Sequence, residues 1–232
     1  MNDQPDPDLT WVVPLYRTGR QARTLASRCD ATARSLGLRS EILFVDDCCP
    51  EHGYREVEAL IPELPVRLLR LPCNLGQDGA LREGLRIARG AVVILDGDLQ
   101  DPPEALTALW PRLVEGHDAV FANRHGRYEP SLRLATSRAY RCSMEWIGGL
   151  PRGAGLYVLM NARTAAALAA TDTTPIYLLA ALAATRGRFT SVEVLRSARP
   201  EGVSAYTSWR RLRKGVASTI QALKSRRLGV KL

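Results

Sequence analysis

Two aspartates spaced two apart, Asp96 and Asp98, follow the apolar run Ala91 to Leu95 in the segment LDGDLQDPPE, Leu95 to Glu104. In an extended segment, residues two apart point to the same side. The spacing therefore predicts both carboxylates aimed at one point, with Gly97 between them letting a ligand approach the backbone closely. Such a pair suits a hard divalent cation, Mg2+ or Mn2+, completed by water and phosphate oxygens. The competing reading is an acidic loop that only caps the next helix. Asp101 fits that reading, as N-cap with Pro102 at the first helical position and Glu104 at the third. A second acidic pair, Asp46-Asp47, closes an earlier apolar run. An acid there can accept hydrogen bonds from a base or ribose, and a turn-forming Asp reads equally well. Asn74-Leu75-Gly76-Gln77 opens a helix, whose free N–H groups favour anions.

These groups need elements to hold them. Leu9 to Leu15, Glu41 to Val45, Pro65 to Leu71, Ala91 to Leu95 and Ala119 to Ala122 read as strands. Helices are predicted between them over Gln21–Ser35, Gly76–Arg89 and Pro102–Glu115, the second with Leu81, Leu85 and Ala88 on one face and Gly90 as its stop. Strands alternating with helices of this length imply βαβ crossovers and a mainly parallel sheet. Fully apolar strands agree, because such a sheet is covered on both faces. Beyond Arg124 the pattern weakens: a helix over Leu132–Ile147, a strand over Gly155–Met160, a short helix over Ala162–Ala170, a strand over Thr190–Leu195 and a basic helix over Ser208–Arg226. One domain is predicted over residues 1–232, regular over 1–124, irregular over 125–207 where an acceptor side could form, and ending in a basic helix over 208–232.

Composition narrows the class. The chain has 232 residues, 46% hydrophobic and 24% charged, which excludes disorder and fibrous repeats. Five cysteines without a CxxC pair argue against a disulfide scaffold and a structural zinc site. No charged-then-apolar leader opens the chain and no apolar stretch is long enough to span a bilayer, so a soluble cytoplasmic protein is expected. From Gly202 to Leu232 there are eight basic residues and no acidic ones, and the net charge of +8 sits there. That segment should face phosphate or lipid headgroups, a peripheral contact with an anionic membrane, or else be a solvated tail. Nucleic acid ranks last as a partner, since Tyr206 and Trp209 are the segment's only aromatics. His52, His117 and His125 lack ligand spacing and read as surface residues.

In order, PLY (Pro14 to Tyr16), FVDD (Phe44 to Asp47), NLGQDGALREGLRIARG (Asn74 to Gly90), VVILDGDLQDPPE (Val92 to Glu104) and ANR (Ala122 to Arg124) resemble family 2 glycosyltransferases of GT-A fold. The similarity is to the branch of dolichol-phosphate mannose synthases and bacterial polyprenyl-phosphate glycosyltransferases. It resumes more faintly at GAGLYVLM (Gly153 to Met160) and RPEGVSAY (Arg199 to Tyr206). The resemblance implies a nucleotide-diphosphosugar donor and transfer with inversion at the anomeric carbon. It implies Pro14, Tyr16 and Asp47 around base and ribose, and Gln77 near the nucleotide. Asp96 and Asp98 would hold the metal-bound diphosphate, with Gln100 among the substrate-binding residues. Arg124, Arg199 and Ser204 would lie near diphosphate or acceptor phosphate, and Asp98 and Arg124 would be catalytic.

Several positions depart from the branch. Tyr16 is followed by Arg17-Thr18 where Asn-Glu is usual, and Asp-Asp-Gly-Ser is replaced by Asp46-Asp47-Cys48-Cys49, whose thiols are read as packing. Leu156 stands where an acidic residue is expected, Val158 where an Arg is, and Ala205 replaces a frequent Lys. Many bacterial relatives carry two transmembrane helices after this point, so an altered acceptor side is expected. The leading expectation is transfer to a phosphate-bearing acceptor. The alternatives are a soluble glycosyltransferase acting on a small-molecule hydroxyl, for which Asp78 and Asp101 are the nearest candidate bases, and a nucleotidyltransferase.

Overall fold

Alternation along the first strand sets the layers. In β1 (Leu9–Leu15), Trp11, Val13 and Leu15 are buried on one side of the sheet and Val12 on the other. The computed structural model describes residues 6–125, 145, 149–171 and 177–195. Within them, β1 is joined in one sheet by β2 (Ser40–Asp46), β3 (Val66–Arg70), β4 (Ala91–Ile94), β5 (Ala119–His125), β6 (Val158–Met160) and β7 (Phe189–Leu195). Their spatial order is β3-β2-β1-β4-β6-β5-β7. All pairings are parallel except those of β6, which runs antiparallel to both β4 and β5.

Helices cover both faces. Trp11, Phe44 and Val93 pack under α1 (Ala22–Ser35), α2 (Tyr54–Glu58) and α4 (Leu106–Val114). Val12, Val45 and Ile94 pack under α3 (Gly76–Ile87), α5 (Ala162–Ala169) and α6 (Leu178–Thr185). Leu25 in α1 and Leu81 in α3 are both fully buried, and each such leucine contributes about 1.5–3 kcal/mol. Helix α3 lies unusually close to the sheet. A Cβ at Gly84 would come within 2.6 Å of Val12 Cγ1 and 2.9 Å of Val45 Cγ2, so only glycine fits there without a shift.

The expected parallel α/β architecture is present, and five predicted strands fall where the apolar runs put them. Three details differ. β6 covers only Val158–Met160, and its direction is reversed. The helix expected from Pro102 begins at Leu106, after a single 3-10 turn over Pro103–Ala105. Helix α2 has five residues, too few to show periodicity. The helices expected over Leu132–Ile147 and Ser208–Arg226 lie outside the described residues. No described helix is long and apolar enough to cross a membrane.

The strand order fixes where a ligand can sit. The chain runs outward from β1 through β2 to β3, then crosses to β4 on the other side of β1. At such a switch point the loops leaving the two strands diverge and open a crevice at their carboxyl ends.

Candidate active site

Three loops meet at that edge, and each turns through a residue in the left-handed region. Arg17 follows β1 with φ 59°, Cys48 follows β2 with φ 52°, and Leu99 follows β4 with φ 57°. For a non-glycine residue this conformation costs about 1–2 kcal/mol, and such strain clusters at functional sites. The loops are stitched together. The Arg17 amide donates to Cys49 Sγ at 3.2 Å, and the Cys49 amide donates to Asp46 Oδ1 at 3.2 Å. The buried Cys49 joins the first two loops, whereas Cys48 is exposed and does not pack as the sequence reading expects of both thiols. Tyr16 is 37% exposed at this edge, with the Arg17 guanidinium 5.6 Å from its ring centroid.

Asp47 is buried and tied to the turn that opens α3. Its Oδ1 accepts from the Leu75 amide at 2.6 Å and its carbonyl from Asn74 Nδ2 at 3.1 Å. Burial raises the carboxyl's pKa, and the amides of Leu75 and Gly76 oppose that rise. The turn-forming reading of Asp47 is the one these contacts bear on. The residue organises a turn, and it stands beside the crevice.

Gln77, in the first turn of α3, donates from Nε2 to Asp96 Oδ1 at 2.7 Å. The Arg124 guanidinium, on β5, lies 3.8 Å from Asp96 Oδ2. The same group donates to Asp101 Oδ2 at 2.5 Å, and that carboxylate is fully buried. Asp98 is buried and accepts from the Gln100 amide at 3.2 Å. Tyr157, whose phenol is pushed well up by burial, donates to the Pro102 carbonyl at 2.7 Å. That bond pins the far end of the loop.

The structure corrects three expectations. Asp96 and Asp98 do not share a face by strand alternation, because β4 ends at Ile94 and Asp98 lies in a turn. Gly97 does not clear a path for a ligand. A Cβ there would meet Thr18 Oγ1 at 2.8 Å and the Pro14 carbonyl at 3.3 Å, so its small size lets the β1 and β4 loops touch each other. Asp101 is not the helix cap either; Pro102, extended at ψ 120°, holds that position without a side-chain cap. Asp101 is structural through its ion pair with Arg124, a partner 23 residues away that no local pattern announces.

Nor do the acids considered as proton acceptors stand ready. Asp78 is buried and accepts from the Leu178 amide at 3.2 Å, where α6 begins. Leu156 lies two residues before β6. It is half-buried there and packs with Ala154, Tyr177 and Leu179 against the core beneath α3. Arg199, Ser204 and the basic segment lie outside the described residues.

Among the described residues, no group of three or more His, Cys, Asp or Glu side chains is arranged to hold a metal. Asp96 and Asp98 supply only two carboxylates. Two carboxylates would leave the remaining positions of a hard cation to water and phosphate oxygens, as such cations prefer beside a nucleotide.

Comparison with known proteins gives the family and the fold. The family model described as Glycosyl transferase family 2 matches residues 10–168, more than half of the chain. An undecaprenyl-phosphate 4-deoxy-4-formamido-L-arabinose transferase of Shewanella sediminis is 34% identical over 130 residues, 55% of this chain and 39% of that protein. A dolichol-phosphate mannosyltransferase of Pyrococcus furiosus is 31% identical over 115 residues, 49% of this chain and 32% of that protein. The chain thus spans less than half the length of these relatives. The mannosyltransferase PcManGT of Pyrobaculum calidifontis, solved with GDP-Man and Mn2+, superposes with TM-score 0.64 at 18% identity, covering 94% of this chain and 65% of that one. That likeness establishes the GT-A fold.

Proposed function

The chain belongs to glycosyl transferase family 2, and from that premise we propose that it moves a sugar from a nucleoside-diphosphate sugar to a phosphate-bearing, polyprenyl-phosphate-like acceptor, with inversion at the anomeric carbon. The observation that carries the reading is the convergence of Gln77, Asp96, Asp101 and Arg124 at the β1/β4 switch point. Pro14, Tyr16 and Asp47 would line the base and ribose end, and Gln100 would contribute beside Asp98. Asp96 and Asp98 would hold a Mg2+ or Mn2+ ion shared with the diphosphate, whose chemistry is to screen the charge that grows on the leaving group. Arg124 does the same from the protein side. Its planar fork suits phosphate, and Asp101 fixes it before the bond breaks, which is where preorganised charge is most effective.

The acceptor reading rests on chemistry. A lipid phosphate is already ionised near neutral pH, so its attack needs cations to hold it and no strong base. A hydroxyl acceptor needs a carboxylate or histidine within hydrogen-bond reach. Asp78 and Asp101 are engaged elsewhere, and Leu156 stands at the β6 edge. Arg199, Ser204 and the basic segment would supply the cations, and that segment would bring the protein to an anionic membrane surface at about 1 kcal/mol per basic residue. The undecaprenyl-phosphate and dolichol-phosphate transferases among the relatives support this class of acceptor.

The test has two stages. Thermal shifts with UDP, GDP and CMP, each with and without Mn2+, should show metal-dependent stabilisation by one nucleoside diphosphate. With the matched sugar donor, short-chain polyprenyl phosphate should then be glycosylated, and polyprenol and soluble sugars should not. Transfer to an uncharged hydroxyl with none to the phosphate would overturn the acceptor reading.

A further inference from the structure

We propose that the Asn74–Gln77 turn is a brace between the nucleoside and diphosphate ends of the donor crevice, with Gln77 acting as a positioning residue for Asp96. The inference rests on the nucleotide-sugar reading above and assigns Gln77 a task beyond lying near the nucleotide. Its basis is a continuous hydrogen-bonded path. Asp47, at the end of β2, accepts from the Leu75 amide at 2.6 Å and from Asn74 Nδ2 at 3.1 Å. Asn74 Oδ1 accepts from the Gly76 amide at 3.2 Å. One residue on, Gln77 Nε2 reaches Asp96 Oδ1 at 2.7 Å. The path runs from the loop after β2 to the loop after β4, although β1 lies between those strands in the sheet.

The choice of a neutral donor matters. An ammonium or guanidinium at Gln77 would fix Asp96 equally well but would cancel the charge a cation needs. A primary amide occupies one lone pair of one oxygen and leaves the carboxylate anionic. Asp96 needs such support, because its side chain is 25% exposed and its other visible partner, Arg124, is 3.8 Å away. A carboxylate ligand oriented by an outer hydrogen bond binds metal more tightly, and losing that partner typically costs ~10–100-fold in affinity. The brace also explains why a buried Asp47 is tied to the backbone of the α3 turn. Setting that turn sets the reach of Gln77.

The full-length chain carrying Gln77→Leu, close in size and without a donor, tests this beside Gln77→Glu, which places a second carboxylate against Asp96. Three quantities are read: calorimetric affinity for UMP and GMP, affinity for UDP and GDP with Mn2+, and Mn2+ binding itself by loss of the free-ion electron paramagnetic resonance signal. Gln77→Leu should keep its melting temperature and bind the preferred monophosphate within about twofold of wild type, while Mn2+–diphosphate affinity falls ~10-fold or more. Gln77→Glu should weaken diphosphate further when Mn2+ is absent. Equal losses for monophosphate and diphosphate would overturn the proposal, because Gln77 would then be a direct nucleoside contact. Unchanged Mn2+ binding in Gln77→Leu would overturn it as well. A wild-type protein that binds none of these nucleotides would instead sink the donor reading on which the brace depends.

Discussion

At the amino end of the sheet, Glu41 is nearly buried and fully engaged. Arg67 and Arg89 donate to its two oxygens at 2.9 and 2.6 Å, and the Thr10 hydroxyl lies 3.0 Å from it. At the carboxyl end, Asp96 has a neutral amide on one oxygen and a guanidinium at 3.8 Å from the other. Left-handed residues occur at both ends, Arg186 before β7 and Gly76 after β3 among them. Before β2, β4 and β5 the left-handed positions are Gly37, Gly90 and Gly116, where the conformation carries no steric penalty. After β1, β2 and β4 they are Arg17, Cys48 and Leu99, where it does. At the first end Glu41 meets its counter-charges within the protein; at the second Asp96 keeps one oxygen 3.8 Å from the nearest guanidinium. A sheet can be stabilised and made reactive by the same residue types, according to whether each charge meets its counter-charge inside the protein or in the ligand.

Substitutions should separate the two ends. The largest effect is expected for Asp98→Asn, which should retain its fold yet lose at least ~10²-fold in turnover, the scale of one charge-stabilising group. Near-normal turnover in a folded variant would remove Asp98 from the reaction. Asp101→Ala should cost about 2.5 kcal/mol in urea unfolding, somewhat below the usual toll for breaking a buried ion pair, because Arg124 retains some exposure. It should also lower turnover by freeing Arg124. A loss under about 1 kcal/mol would mean that the pair is not a structural lock. Glu41→Gln, at the quiet end, should cost about 1.5 kcal/mol and leave kcat/KM per folded molecule unchanged; a fall in kcat/KM would break the division between ends. Smallest is Cys48→Gly. Cys48 is exposed with φ 52°, so glycine relieves strain without losing burial. A gain of about 0.7 kcal/mol, or about 2 °C in Tm, is expected, and a lower Tm would show that the cysteine side chain has a favourable contact.

The same division bears on what sequence could reveal. Strands such as β4 were legible because an uninterrupted apolar run like Ala91 to Leu95 leaves few alternatives to a covered parallel strand. The acidic pairs were legible because each ends such a run. Helix α6 was not legible as a helix, since Leu178, Ala180 and Ala181 to Ala183 are buried all round it and show no amphipathic period. β6 has three residues, too few to carry a direction. The Asp101–Arg124 pair and the Gln77–Asp96 bond join residues 23 and 19 apart, and only the closed sheet brings them together. Asp101 looked like a cap because Asp-Pro-Pro-Glu satisfies the local rule; the tertiary partner won.

The reversed direction of β6 has a further consequence. β5 ends and β6 begins at the same edge of the sheet, and the Ala122 amide still reaches the Tyr157 carbonyl at 3.0 Å. The end of β5 and the start of β6 are therefore neighbours in the sheet, whatever joins them. Closing a longer excursion between fixed ends costs only about 0.6 kcal/mol per doubling of its length. A change in length between β5 and β6 would therefore leave the pairing of β1 with β2 and β4 without added strain.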